Sequence, residues 1–190
     1  MQTLDKAFEK LHERYCKILE NYYPAHGSTG FTERNLTSNF VFAIESILGD
    51  NSIFWLEAPI DIEKRKHIDA VVFDLKSQSS FLIESKRFSN PEQKILEANN
   101  DISRLKNRKH YELLEKKLKT KINERYAVLL ADVWRENEKK REIYDQWPTS
   151  VYQKQDVVWS NKSEFNSLKN YSLLILAVKL PTVNTLSEIT

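Results

Sequence analysis

The chain has 190 residues, of which 41% are hydrophobic and 29% charged, a composition typical of a globular protein of about one domain. A net charge of only +2 excludes an overall basic character, so any surface for nucleic acid has to be a local patch. The single cysteine, Cys16, excludes an intramolecular disulfide and a cysteine-based zinc or iron–sulfur centre. Because the sequence has neither an apolar leader nor a run of membrane-spanning length, we expect a cytoplasmic protein that does not enter a membrane.

Two helices are predicted at the start of the chain. Apolar residues recur at helical spacing over residues 4–22, and this helix is expected to end at Pro24 and the segment Gly27–Gly30. We interpret it as a packing helix or a dimer arm. Thr32 has the chemistry of a helix N-cap, which predicts a second helix over Glu33–Leu48.

The second helix separates two glutamates by geometry alone. Its apolar stripe centres near the direction of Glu33 at about 100° per residue, and Glu45 projects away from it. The stripe consists of Leu36, Phe40, Ile44 and Ile47. An acidic residue on a buried face needs a partner or a function, although a glutamate in the first turn also complements the helix dipole.

The first predicted strand covers Ile53–Ile60 and is expected to be interrupted by its proline. Glu57 on this strand is expected to face solvent or to pair with a lysine, with an approach to a functional site as the alternative. The basic segment Lys64–His67 follows. It is interpreted either as a solvated loop or as a phosphate-binding segment in which Lys64 and Lys66 contact nucleic acid.

A hairpin is predicted next, and the rest of the chain is organised around it. Two strands, Ile68–Asp74 and Ser80–Lys86, are joined by a short polar turn. Pairing of these strands brings Asp69 close to Glu84. Because side chains alternate along a strand, Glu84 and Lys86 share one face, and we expect Asp69 to share it with them.

Such a cluster of charges needs a chemical reason. Two carboxylates a few ångströms apart repel each other and raise each other's pKa. A divalent cation removes this conflict, and the hard oxygen ligands suit Mg²⁺. A nearby lysine can steady an attacking water or a developing negative charge, so the cluster is suited to attack on a phosphodiester.

Asp69 and the later Glu84-x-Lys86, with the apolar segments Ala70–Phe73 and Phe81–Ile83 beside them, resemble the active-site signature of the PD-(D/E)XK, or restriction-endonuclease-like, nuclease superfamily. The residue before Asp69 is an isoleucine where the name of the family expects proline, a position that varies widely in the family. The resemblance covers roughly residues 31–105. Beyond this range it rests on the order of the elements.

The resemblance implies a set of roles. Asp69 and Glu84 would bind Mg²⁺, for which Mn²⁺ is the expected substitute, with help from the backbone carbonyl of Ser85. Lys86 would orient the attacking water and stabilise charge. Many restriction-endonuclease-like proteins carry a glutamate on the helix before the core sheet, and Glu33 matches that position. It would reach the metal directly or through a water molecule.

The elements after the hairpin are predicted from the apolar runs. A long polar helical stretch is expected to run to about Asn123, with a break near Asn107. Arg104 and Arg108 on this stretch are candidate contacts to nucleic acid, and the alternative is a solvated face. Further elements are expected as strands at residues 126–133 and 171–180, a short strand at 157–159 and a helix at 136–146.

This order predicts an α/β fold in which helices flank a mixed central sheet. By resemblance, residues 1–190 form one domain, with a restriction-endonuclease-like core at 31–180 and a helical extension at 1–30. The expected activity is metal-dependent phosphodiester hydrolysis on nucleic acid, with DNA as the expected substrate and a homodimer as a possible assembly. The alternative is a catalytically inactive nucleic-acid-binding or assembly module of the same fold.

Overall fold

The computed structural model describes residues 1–22 and 32–181, and the predicted helix end at Pro24 and Gly27–Gly30 lies outside them. The described helices are α1 (Gln2–Asn21), α2 (Glu33–Leu48), α3 (Pro91–Leu105), α4 (Arg108–Glu115) and α5 (Glu138–Asp145), with a short 3₁₀ turn at Gly49–Asn51. The described strands are β1 (Ser52–Asp61), β2 (Lys66–Asp74), β3 (Ser79–Arg87), β4 (Glu124–Trp134), β5 (Val157–Glu164) and β6 (Tyr171–Lys179).

The strands form one six-stranded sheet in the order β1-β2-β3-β4-β6-β5. Strand β3 pairs in parallel with β4, and the chain between them passes through α3 and α4. The other neighbours pair antiparallel, so the sheet is mixed. The predicted α/β class, with helices on a mixed sheet, is confirmed.

Each face of the sheet has its own hydrophobic core. Phe81 and Ile83 of β3 belong to the core under α1 and α2, whereas Leu82 between them belongs to the core under α3, α4 and α5. This division follows the period of two along a strand. Leu4, Leu11 and Tyr15 of α1 are fully buried in the first core, so α1 is an integral part of that layer.

Helix α2 has the bounds that its sequence predicts. The Thr32 hydroxyl oxygen accepts a bond from the Asn35 backbone N–H at 3.1 Å, which satisfies one of the open donors at the helix start. The predicted stripe faces the sheet, and Glu45 is exposed. The helix ends at Gly49, whose φ of 56° is a conformation that side chains disfavour.

Three boundaries differ from the predictions. The break predicted near Asn107 is confirmed, since α3 ends at Leu105 and α4 begins at Arg108, but the helical stretch expected to run to about Asn123 ends at Glu115 and leaves a lysine-rich segment without helix. Like charges at neighbouring positions disfavour a helix there. Strand β5 runs on to Glu164 because it pairs with β6, although its second half is polar. Strand β1 continues through Pro59 because an edge strand can leave one N–H position unused.

Candidate functional site

The site forms where β2 and β3 part. Their ladder is regular from Asp74↔Ser79 to Ala70↔Ile83 and has no pair beyond that point. There, the Asp69 side chain takes over, and its Oδ2 accepts a bond from the Ser85 backbone N–H at 2.7 Å. A backbone donor that the ladder would leave open is satisfied in this way, and the Asp69 carboxylate is fixed at the edge of β3.

Helix α2 delivers a second carboxylate to the same strand end. Glu33 Oε1 accepts a bond from the Arg87 backbone N–H at 2.9 Å, and Lys94 Nζ lies 3.4 Å from the same oxygen. The apolar stripe of α2 must face the sheet, and this requirement directs Glu33 of the first turn toward β3. The structure therefore brings Glu33 to the site and leaves Glu45 in solvent.

The other two predicted residues turn to α3. Arg104 Nη2 lies 2.5 Å from Glu84 Oε1 and 2.9 Å from Asp101 Oδ1. Lys86 Nζ lies 2.6 Å from Asp101 Oδ2 and 3.9 Å from Glu84 Oε2. We call these four side chains, Glu84, Lys86, Asp101 and Arg104, the α3 network. It contains two acidic and two basic side chains.

Burial dominates the electrostatics of the site. It raises the pKa of Glu84 to about 8, and the negative charges of Asp101 and Asp69 add to this rise, while Arg104 and Lys86 oppose it. Burial also raises the pKa of Asp69, against the lowering by the Ser85 N–H and by Lys86. For Lys86, burial lowers the pKa, but the bond to Asp101 and the surrounding acids raise it overall. The ammonium form of Lys86 is thereby favoured.

The three residues of the predicted hairpin cluster are divided between two directions. Glu84 and Lys86 both face α3, as the strand period predicts. Asp69 instead lies at the edge of β3 and lines a cavity on the α2 side, while its negative charge still raises the pKa of Glu84, so it lies between the two faces and not on the one that was predicted. Since β2 separates from β3 after Ala70, the pairing that would hold Asp69 to the period of two is missing.

A cavity of about 410 Å³ opens on the α2 side of the site. It is lined by Glu33, Arg34, Thr37, Ser38, Leu56, Glu57 and Asp69. Glu57 is exposed at the rim of this cavity, as predicted, and its ion-pair partner there is Arg34, at 3.3 Å, and not a lysine. Glu57 has a φ of 55°, a strained conformation for a residue with a side chain, and such strain is common beside functional sites.

The predicted nucleic-acid contacts have different environments. Lys64 is exposed in the turn between β1 and β2, and Lys66 is exposed at the start of β2. Arg108 pairs with Glu112 of its own helix at 2.5 Å. Arg104 was expected on a basic surface, but its guanidinium lies in the α3 network, where the buried Glu84 draws it in.

Sequence reasoning missed Asp101 and assigned Arg104 to a nucleic-acid contact instead of to this network. Asp101 and Arg104 stand three positions apart, and each precedes a buried residue of the helix, Ile102 or Leu105. This spacing places them on one flank of α3. The only signal in the sequence is an acid and a base at that spacing beside an apolar stripe. It points to Glu84 and Lys86 only once α3 is known to pack against β3.

The opposite face of the same strand end holds a second buried acid. Asp132 of β4 is 2% exposed, its Oδ2 accepts a bond from the Tyr171 hydroxyl at 3.0 Å, and Arg87 Nε lies 3.9 Å away. Burial raises the pKa of Asp132 to about 7, although Arg87 and Tyr171 lower it. We call Asp132, Arg87 and Tyr171 the Asp132 cluster.

A larger cavity of about 580 Å³ lies between β1 and α4, beside the exposed Trp55. Its lining is apolar except for Lys116 and Lys117, and no carboxylate contributes to it. General acid–base chemistry or binding of a hard cation needs such groups. The chemistry is therefore assigned to the end of β3.

Comparisons with models of protein families, with curated proteins and with solved structures find no match for this chain. Within residues 1–22 and 32–181, no helix has the length and apolar character needed to cross a membrane. In the same part of the chain, no three side chains of His, Cys, Asp or Glu converge as a set that could enclose a metal ion. The candidate site combines Asp69 at the edge of β3, Glu84 and Lys86 on the α3 side of that strand, and Glu33 from α2.

Proposed function

We propose that this protein is a metal-dependent nuclease with a restriction-endonuclease-like core, and that DNA is its substrate. One observation carries the proposal: at a single strand end, Asp69 caps β3, Glu84 and Lys86 project from it, and Glu33 reaches it from the preceding helix. The order of a helix, three antiparallel strands, and a fourth strand that returns in parallel after further helices supports the same core.

The donor set fits Mg²⁺. This ion prefers oxygen ligands, keeps several waters and usually takes only one or two carboxylates from the protein. Asp69 and Glu84 would hold it with the Ser85 carbonyl, and Glu33 would reach it directly or through water. The Glu84 carboxyl group already has a positively charged partner, the Arg104 guanidinium, whose Nη2 lies 2.5 Å from Oε1. When bound, Mg²⁺ would polarise the phosphate and lower the pKa of a coordinated water.

The residues of the chain have separate tasks around the phosphate. Lys86, held as an ammonium by Asp101, is placed to orient the attacking water and to stabilise negative charge as it develops. Asp69 is fixed by the Ser85 N–H, so its position does not depend on a bound ligand. The exposed Lys64 and Lys66 are available to contact the nucleic acid backbone.

The proposal is tested by incubating the purified protein with end-labelled single- and double-stranded DNA and RNA in Mg²⁺, in Mn²⁺ and in EDTA. We expect metal-dependent cleavage that leaves 5′-phosphate and 3′-hydroxyl ends. Asp69→Asn and Glu84→Gln should each abolish it, whereas Asp50→Asn, at an exposed position, should cleave like the wild type. Cleavage that persists in both site variants, or in EDTA, would contradict the proposal.

A catalytically inactive nucleic-acid-binding or assembly module is the second candidate. The observation that favours it is the α3 network itself, in which Arg104 and Lys86 already neutralise Glu84 and Asp101. A module without turnover has no need to bind metal. Mn²⁺ binding that depends on Glu84, together with cleavage, would exclude this candidate.

A further inference from the structure

Arg104 has two acidic partners at once. Its Nη2 contacts Glu84 Oε1 at 2.5 Å and Asp101 Oδ1 at 2.9 Å. Glu84 is almost completely enclosed, with 6% of its side chain exposed, whereas 25% of the Arg104 side chain is exposed. The carboxylate is therefore the fixed partner, and the guanidinium is the one with room to shift.

We propose that Arg104 is a built-in counter-ion for Glu84, which gives up this carboxylate to the divalent cation and remains held by Asp101. This inference rests on the proposed metal site and adds a competition for it. An ion at Glu84 and a guanidinium on the same oxygen have like charges in a poorly solvated place, where such repulsion is strong. Binding of the metal ion at Glu84 therefore opposes the contact of Arg104 with the same carboxylate.

Asp101 makes the exchange possible without leaving a charge unpaired. Asp101 bonds Arg104 through Oδ1 and Lys86 through Oδ2, so both bases keep one partner when Glu84 takes a metal ion. An unpaired charge in a mostly buried place would be costly. The spacing of three residues on α3 already holds Arg104 beside Asp101. The network thus has one arrangement with Arg104 on Glu84 and a second with Arg104 on Asp101 alone.

The experiment measures Mn²⁺ binding by the loss of the free-ion signal in electron paramagnetic resonance, on the full chain at one fixed pH and without nucleic acid. Because a competing positive charge is removed, Arg104→Gln should bind Mn²⁺ at least about tenfold more tightly than the wild type, about 1.4 kcal/mol. Arg104→Met, which also lacks the charge, should do the same. Arg141→Gln, which removes an exposed arginine of α5, should leave the affinity unchanged.

Asp101→Asn provides a change of opposite sign. It removes one negative charge and leaves Arg104 with Glu84 as its only acidic partner in the network, so Mn²⁺ binding should weaken by at least about threefold. Circular dichroism of each variant establishes that it is folded. Tighter binding in both Arg104 variants and weaker binding in Asp101→Asn support the inference.

The failure of this inference is distinguishable from failure of the proposed function. If the wild type binds Mn²⁺ and cleaves, but both Arg104 variants bind Mn²⁺ equally or more weakly, the exchange is wrong and the nuclease stands. If the wild type and the Arg104 variants bind no Mn²⁺, the metal site and the exchange are both overturned.

Discussion

Two clusters of buried charge grow from successive residues of β3 and differ in how their charges are satisfied. In the α3 network, two acids face two bases, and the α3 side chains are 16% and 25% exposed. In the Asp132 cluster, one enclosed acid has a tyrosine at 3.0 Å and an arginine only at 3.9 Å. We infer that the first cluster can change partners, because each of its bases has a second acid nearby. The second cluster has one fixed arrangement, and its enclosed acid lowers the free energy of unfolding.

The difference indicates a division of labour across the sheet. Lys86 and Arg87 are neighbours in sequence, yet the period of two sends them to opposite faces. The face of α3 holds the α3 network, in which Asp101 and Arg104 are partly exposed and Glu84 is enclosed. The face of α2 uses Arg87 for support, since its backbone N–H holds Glu33 while its side chain approaches Asp132.

The largest effect is expected from removing the lysine of the α3 network. Lys86→Ala should reduce cleavage about 10³-fold or more, roughly 4 kcal/mol, because its ammonium acts where charge develops. The fold should survive, because Arg104 still pairs with both Glu84 and Asp101. Turnover and thermal unfolding are measured beside Lys17→Ala, an exposed lysine of α1. Wild-type cleavage by Lys86→Ala would remove this residue from the mechanism.

The second prediction concerns the enclosed acid. The pKa of Asp132 is about 7 in the folded chain against 3.8 for the free side chain, so between these values the folded state holds a proton that the unfolded state has lost. Four groups interact with Asp132 through charge or a hydrogen bond: Arg87 of β3, Tyr171 of β6, Tyr15 of α1 and Glu33 of α2. The contribution of Asp132 to the stability should therefore fall as the pH rises from about 4 to 7 and level off above.

Asp132→Asn tests this sign. A rise of the Asp132 pKa from 3.8 to about 7, in which the lowering by Arg87 is already included, corresponds to roughly 2 to 4 kcal/mol of stability that is lost as the pH rises between these values. The variant should gain about 2 kcal/mol of unfolding free energy over the wild type between pH 4 and pH 8, measured by urea unfolding. Asp145→Asn, at an exposed position, is the control. A gain that shrinks with rising pH would contradict the assignment.

Next in size is the contrast between the two glutamates of α2. Glu33→Gln keeps an acceptor for the Arg87 N–H but removes the charge, and should reduce metal-dependent cleavage at least about tenfold, roughly 1.4 kcal/mol. Glu45→Gln, in solvent on the same helix, should change it hardly at all. Both turnovers are measured at saturating Mg²⁺. Equal activities, or a larger loss in Glu45→Gln, would contradict the assignment of the Glu33 face of α2 to the site.

The smallest effect belongs to a neutral contact between α2 and β3. Thr37 Oγ1 lies 2.7 Å from Ser85 Oγ, and both side chains are buried. Thr37→Val should lower the unfolding free energy by about 1 to 2 kcal/mol because the Ser85 hydroxyl loses this partner. Thr149→Val, whose hydroxyl bond is exposed, should lower it by less than about 0.5 kcal/mol. Similar losses in the two variants would mean that the buried contact has no special weight.

Local signals in the sequence determined the elements nearest the site. The Thr32 cap and the spacing from Leu36 to Ile44 predicted the bounds of α2, its buried face and the separate positions of Glu33 and Glu45. Alternation and a polar turn predicted the β2–β3 hairpin and put Glu84 and Lys86 on one face. These features depend on residues a few positions apart, so the period of the element is sufficient to predict them.

Only the tertiary structure decided which partners these residues meet. Asp69 turned to the edge of β3 because β2 separates there, and that separation depends on pairing across the sheet. Arg104 joined Glu84 because α3 packs on β3, although its own surroundings in the sequence resemble a solvated basic face. The same applies to Asp132, which becomes a buried acid only when three strands meet. Long-range packing determines the burial of a charge, and burial determines its pKa and its partners.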